Sequence, residues 1–218
     1  VGNTVKGNQV YAKNAKTGKW EWTTDTNKDT AIKGYDKDKS SQYNYVDGFN
    51  NEVINGKHDY VIGANNTVTG DSYDDKDAKK YSNESNIIFG DNHTVTNTKN
   101  AVIIGSSDTQ MTLDKGDNAT AIGHNASAQR DALAVGVNTE ARGNAVALGT
   151  SSTAHNNSIA IGTKATAVSS QNLAIGWEAH IGNIKTDDEK IKNAIALGSD
   201  SQVRVNDLLE SDHDRGVL

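Results

Sequence analysis

The chain predicts an all-β fold, a parallel β-roll or solenoid of 13–15-residue coils carrying loop and hairpin insertions. Three observations predict it. Ten glycines recur along the chain, at Gly48, Gly63, Gly90, Gly105, Gly123, Gly136, Gly149, Gly162, Gly176 and Gly198, and most close a short apolar run. From Gly123 through Gly136 and Gly149 to Gly162 the step is 13 residues, and it is then 14 to Gly176. The composition is 34% hydrophobic and contains no proline. That is too little apolar material for an ordinary globule, which holds roughly 45–50%, and it leaves a backbone ladder free of interruption.

Each coil is read from its glycine, taken as position zero. Positions −3 and −1 are aliphatic, as in Leu133 and Val135, Val146 and Leu148, Ile159 and Ile161, Leu173 and Ile175, and Ile195 and Leu197. A spacing of two puts them on one face of a strand, and this face is expected to point into the coil. Glycine then turns the chain. A second short strand follows, with position +5 (Val53, Val68, Val95, Ala128, Ala141, Ala154, Ala167, Ile181, Val203) expected to complete a thin core. Position +3 is small or polar, for example Asn51, Asn66, Ser152 and Ala165.

Position −2 lies on the opposite face of the first strand and is also apolar or small. On this assignment it faces away from the coil, and an apolar row facing away from its own core needs a cover. The expected cover is an identical chain, arranged with closed symmetry. The residues expected at that contact are Val46, Val61, Ile88, Ile103, Ala121, Ala134, Ala147, Ala160, Ala174 and Ala196. Cover by the chain's own insertions is the alternative.

The chain reads as one repeat domain over 1–218, with insertions at about 8–43, 71–85, 106–117 and 183–192 and an atypical end at 205–218. Loops on a rigid scaffold are where binding concentrates. In the first insertion, Val10-Tyr-Ala-Lys and Lys19-Trp-Glu-Trp-Thr23 flank a Gly18 turn and predict a hairpin. Trp20, Trp22 and Tyr35, with Tyr73 and Tyr81 of the second insertion, are the candidate ligand-binding residues. The competing reading, which aromatic area in a small core favours, is that Trp20 and Trp22 form the core of the hairpin.

Several chemistries are excluded or unsupported. A net charge of −6 without a basic stripe disfavours nucleic acid. With no cysteine there is no disulfide and no thiolate metal site. The six histidines lack zinc spacing. Asp25, Asn27, Asp29 and Asp36 suggest a calcium loop faintly, but Thr30 stands where the turn glycine belongs. No nucleophile motif or phosphate loop is present, so no enzyme, metal or cofactor is expected. No apolar stretch is long enough to span a membrane, so any signal or anchor is expected outside this sequence.

Two stretches, Asn144-Ala-Val-Ala-Leu-Gly149-Thr-Ser-Ser152-Thr-Ala154 and Asn157-Ser-Ile-Ala-Ile-Gly162-Thr-Lys-Ala165-Thr-Ala167, resemble the head repeat of trimeric autotransporter adhesins of Gram-negative bacteria, of the Yersinia adhesin type. The resemblance is close over about 123–203 and looser over 44–105. It implies a left-handed roll, a homotrimer, and display on the bacterial cell surface through an outer-membrane anchor beyond this sequence. It also implies adhesion as the function, with host cells, matrix proteins or other bacteria as partners, met through a surface protein or glycan. Asp47 stands at a −1 position, the coil after Gly105 breaks the +5 rule, and 205–218 departs from the family's neck. The alternatives are a spacer segment of the same fibre and a left-handed β-helix acyltransferase. The acyltransferase repeats in hexapeptides, which these coils do not match. An ice-binding solenoid would need a flat threonine row that is missing here.

Overall fold

The computed structural model describes residues 2–6, 10–13, 20–23, 43–54, 56–70, 83–182 and 191–204. The chain divides into two compact units, Val1–Ala101 with Thr112–Lys115, and Val102–Met111 with Gly116–Leu218. The described residues are all-β, in short parallel strands apart from one hairpin.

In the first unit, Tyr45–Phe49, Tyr60–Ala64 and Ile87–Phe89 form a parallel row, with Val46, Val61 and Ile88 in register. A second row runs Thr4–Lys6, Glu52–Ile54, Thr67–Thr69, His93–Thr96 and Met111–Asp114. The predicted hairpin is present: Val10–Lys13 pairs antiparallel with Trp20–Thr23. In the second unit, one row starts at Val102–Ile104 and Thr120–Ile122. It continues through Leu133–Val135, Val146–Leu148, Ile159–Ile161, Leu173–Ile175 and Ile195–Leu197. The other row of that unit runs Ser127–Ala128, Glu140–Arg142, Thr153–His155, Thr166–Ala167, His180–Ile181 and Gln202–Val203. Each coil therefore contributes one strand on either side of its glycine, as the repeat predicts.

The coil is turned inside out relative to the sequence expectation. Positions −3 and −1 point outward: Tyr45, Tyr60, Ile62, Ile87, Phe89, Ile104, Ile159 and Leu197 are exposed, and Leu133, Val135, Val146, Leu148, Ile161, Leu173, Ile175 and Ile195 are half-buried. The −2 row, expected at the partner contact, lies inside its own chain. Val61, Ile88, Ile103, Ala121, Ala134, Ala147, Ala160, Ala174 and Ala196 are buried there, and Val46 is half-buried. The buried members of this row present no surface in the chain itself.

The reason is size. The interior is shared by positions −4, −2, +3 and +5, four rows facing one narrow space. In the second unit those rows are filled chiefly by Ala, Ser and Thr, and a pair of large aliphatic residues per coil would not fit. In the first unit the −2 residues Val61 and Ile88 are larger, and so are the +5 residues Val53, Val68 and Val95, all fully buried. A buried Val or Ile contributes about 1.5–3 kcal/mol, and an alanine much less. The second unit therefore draws little on its own interior and carries most of its large aliphatic side chains outside.

The turns add a rule that the glycine clock alone does not state. Positions −5 and +2 are left-handed, with φ near +55° at Asn118, Asn144, Asn125 and Asn138 among others. Asparagine tolerates that region better than other non-glycine residues. In the second unit the +3 amide closes several of the glycine turns: Ser152 N–H donates to Gly149 O at 3.2 Å, and Ala165 N–H donates to Gly162 O at 3.1 Å.

Buried polar residues join neighbouring coils. Asn66 donates through Nδ2 to Gly90 O at 2.7 Å and to Asn51 Oδ1 at 3.0 Å. Its Oδ1 accepts the His93 N–H at 3.0 Å. Asn66→Ala strips buried groups of their partners and is expected to cost about 2–4 kcal/mol. Urea unfolding of the full chain measures this, and a loss under about 1 kcal/mol would contradict that role for the column.

Within the predicted insertion at 106–117, Met111–Asp114 joins the second row of the first unit beside His93–Thr96, and Leu113 is buried. Most of the remaining insertion residues, and 205–218, lie outside the described residues.

Candidate functional site

The feature that could recognise another molecule is the outward −3/−1 face. In the first unit it mixes aromatic with aliphatic residues, Tyr45, Tyr60 and Phe89 with Ile62 and Ile87. Tyr45 is 52% exposed, Tyr60 50% and Phe89 41%. Tyr45 and Tyr60 stack with ring centroids 6.2 Å apart, and Tyr43 stacks on His58 at 5.2 Å. Strand register puts successive −3 residues side by side, which builds the patch directly from the repeat. In the second unit the same positions are aliphatic on every strand from Leu133–Val135 to Ile195–Leu197. Leu133↔Val146↔Ile159↔Leu173↔Ile195 form one continuous column and Val135↔Leu148↔Ile161↔Ile175↔Leu197 another. Scattered exposed apolar residues are ordinary, but a contiguous apolar face marks an interaction surface.

The outward face of the second-row strands is chemically different. Glu140 lies beside His155 Nε2, 3.7 Å away, and beside the Arg142 guanidinium. His155 first, then Arg142, hold the Glu140 carboxyl below its usual range against the opposing effect of burial. Near the turns, Asp108 accepts from Asn125 Nδ2 at 2.8 Å and lies 3.1 Å from His124 Nε2, which pins the loop after Gly105. Trp177 is 49% exposed. Lys164 Nζ sits 6.0 Å from its ring centroid and pairs with Glu178 at 2.7 Å. Among the described residues no cluster of His, Asp or Glu could hold a metal.

The sequence-predicted ligand residues fare unevenly. Trp20 and Trp22 lie on the second hairpin strand, opposite Lys13 and Tyr11. Their side chains, and Tyr35, Tyr73 and Tyr81 altogether, lie outside the described residues. The aromatic patch at Tyr45, Tyr60 and Phe89 and the exposed Trp177 were not singled out from sequence. The signal for the patch was the aromatic residues at −3 and −1 of the first unit, Tyr45, Tyr60 and Phe89.

Comparison with known proteins bears on what such coils are. The family model of the YadA head domain repeat matches twice, over residues 115–132 and 156–179. These two stretches are similar to the YadA head repeat. Apart from Lys115 both lie in the second unit, and the matched stretches take in the strands Thr120–Ile122, Ser127–Ala128, Ile159–Ile161, Thr166–Ala167 and Leu173–Ile175. Among solved structures, the collagen-binding domain of the Yersinia adhesin YadA is similar at 14% identity. That comparison covers 96% of this chain and 77% of that one, with a TM-score of 0.38. No curated protein matches the chain.

Proposed function

We propose that this chain is the head of a bacterial surface adhesin, which attaches the cell to another surface by non-covalent contact. The observation that carries the reading is the pair of matches to the YadA head domain repeat at 115–132 and 156–179. Three copies pack their outward −3/−1 faces together, and the assembly is held at the cell surface by an anchor beyond this sequence. Support for the packing comes from the second unit, where an alanine-sized interior is combined with two continuous aliphatic columns on the outside. Covering those columns adds burial that the coil lacks on its own. On this proposal the contact between copies is formed by Leu133, Val135, Val146, Leu148, Ile159, Ile161, Leu173 and Ile175, in place of the −2 row. Ligands are met by the insertions, including the hairpin that bears Trp20 and Trp22, and three copies give avidity.

The test is binding of the chain to collagen and other matrix proteins, glycans and whole bacterial cells, with and without a trimerising fusion. Saturable binding to one class, strengthened 10²-fold or more by trimerisation, is the expected outcome. No binding by a folded trimer across the whole panel would contradict an adhesive head and favour the spacer.

A further inference from the structure

Asp59 stands in a column that is otherwise amide. Four residues before their glycines, three coils of the first unit place Asn44, Asp59 and Asn86 in succession. Asn86 donates through Nδ2 to Thr98 O at 2.8 Å and accepts the Ala101 N–H at Oδ1 at 3.0 Å. Asn44 does the same, donating to Gly56 O at 2.7 Å and accepting the Asp59 N–H at 3.0 Å. Each side chain thus gives one bond to a carbonyl and takes one from the next coil.

Asp59 reproduces only the accepting half. Its Oδ1 takes both the N–H and the Nδ2–H of Asn86 at 2.9 Å. The residue is 0% exposed, and Oδ2 is buried with no hydrogen-bond partner. A carboxylate has no donor to give, whereas a neutral carboxylic acid has one. The charged groups on the elements around it are Asp47 on the preceding strand of the row, Lys57 and His58 on its own approach, Glu84 on Asn83–Glu84, and Lys99, which lies 3.9 Å from Glu84. Among the described residues no cation bonds to Asp59. Burial first, and the Glu84 charge in addition, push its carboxyl up to about 7, against the lowering effect of the Asn86 bonds.

We infer that Asp59 is a proton-operated lock in the amide column of the first unit. Neutral, its acid group supplies the donor that Asn44 and Asn86 supply in their coils, and the column closes. Ionised, it leaves a buried charge without a partner, and the coils on either side loosen. The sign follows from linkage. The closed state holds the proton more tightly than the open one, so closing takes up a proton between the ordinary carboxylate value of 3.8 and about 7. Stability is full below the first value, falls as pH rises towards the second, and is level above it. This goes beyond the adhesive reading and does not depend on it.

The experiment is amide hydrogen exchange of the full chain, corrected for intrinsic rates, read at the amides of Asp59, Tyr60, Asn86 and Ala101. In the unaltered chain protection is expected to fall by about tenfold to a hundredfold between pH 5 and pH 8. Asp59→Asn, which restores the missing donor, is expected to keep its protection across that range. The same fall in Asp59→Asn, or no fall in the unaltered chain, would overturn the inference. A carbon-13 titration of the Asp59 carboxyl in the unaltered chain decides the matter independently of how the variant folds. A midpoint near 7 supports the lock and one near 4 removes it.

Discussion

Gly136→Ala is expected to destabilise the chain by about 3–5 kcal/mol, enough to unfold the second unit at ordinary temperature. Gly136 has φ +139°, and a Cβ built on it would sit 2.6 Å from Gly149 O and 2.7 Å from Gly149 C. Both obstacles are backbone of the next coil, so neither a rotamer change nor a small side-chain shift relieves them. Gly149 is also paired to the Gly136 coil through its N–H, which donates to Val135 O at 2.8 Å. Displacing it therefore breaks the ladder at that step. Gly198 provides the internal control. Its φ is +115°, but nothing lies within 4 Å of the same built atom. Gly198→Ala should suffer the conformational strain alone, about 1–3 kcal/mol. Thermal or urea unfolding of the two variants measures the difference. Equal losses would mean that coil stacking does not set the glycine requirement.

The second large effect separates two neighbouring residues. Ala160 is buried inside the chain and Ile161 lies on the outward face. Ala160→Leu forces extra carbons into a filled row and is expected to cost about 1–3 kcal/mol or more. Ile161→Lys leaves the coil's own interior intact, so the monomer keeps its β spectrum. It places three cations against one another wherever three copies meet, and the variant should run as a monomer in light scattering. If Ile161→Lys unfolds the chain while Ala160→Leu is tolerated, the assigned faces are reversed.

The repeat itself was legible in the sequence. The glycine clock located the strands on both sides of each turn, from Tyr45–Phe49 to Ile195–Leu197, and Val10–Lys13 and Trp20–Thr23 paired as the turn between them predicted. The facing of the coil was misread for a physical reason. Hydrophobic patterning assigns the largest aliphatic residues to the core, and the coils of the second unit, lined chiefly by Ala, Ser and Thr, have no space for them. The correct signal was volume: Ala at −4 and −2 with Ala or Ser at +3 and Ala at +5 is a set matched in size, as at Ala145, Ala147, Ser152 and Ala154, all buried. The left-handed asparagines at −5 and +2 were visible as a pattern around each glycine, and their backbone role becomes plain only from the dihedral angles. Asp59 was hidden because nothing local distinguishes it from a surface acid. Its burial follows from the −4 row being an interior row, which depends on the same facing.

The most direct test of the facing and of the contact between copies uses the absence of cysteine from the chain. Single cysteines are placed at two adjacent positions, Ala147→Cys and Leu148→Cys, and each full-length protein is treated with a short bis-maleimide. The account predicts linked chains from Leu148→Cys and no reaction at Ala147→Cys until the protein is unfolded. Linked chains from Ala147→Cys, with Leu148→Cys unreactive, would contradict it.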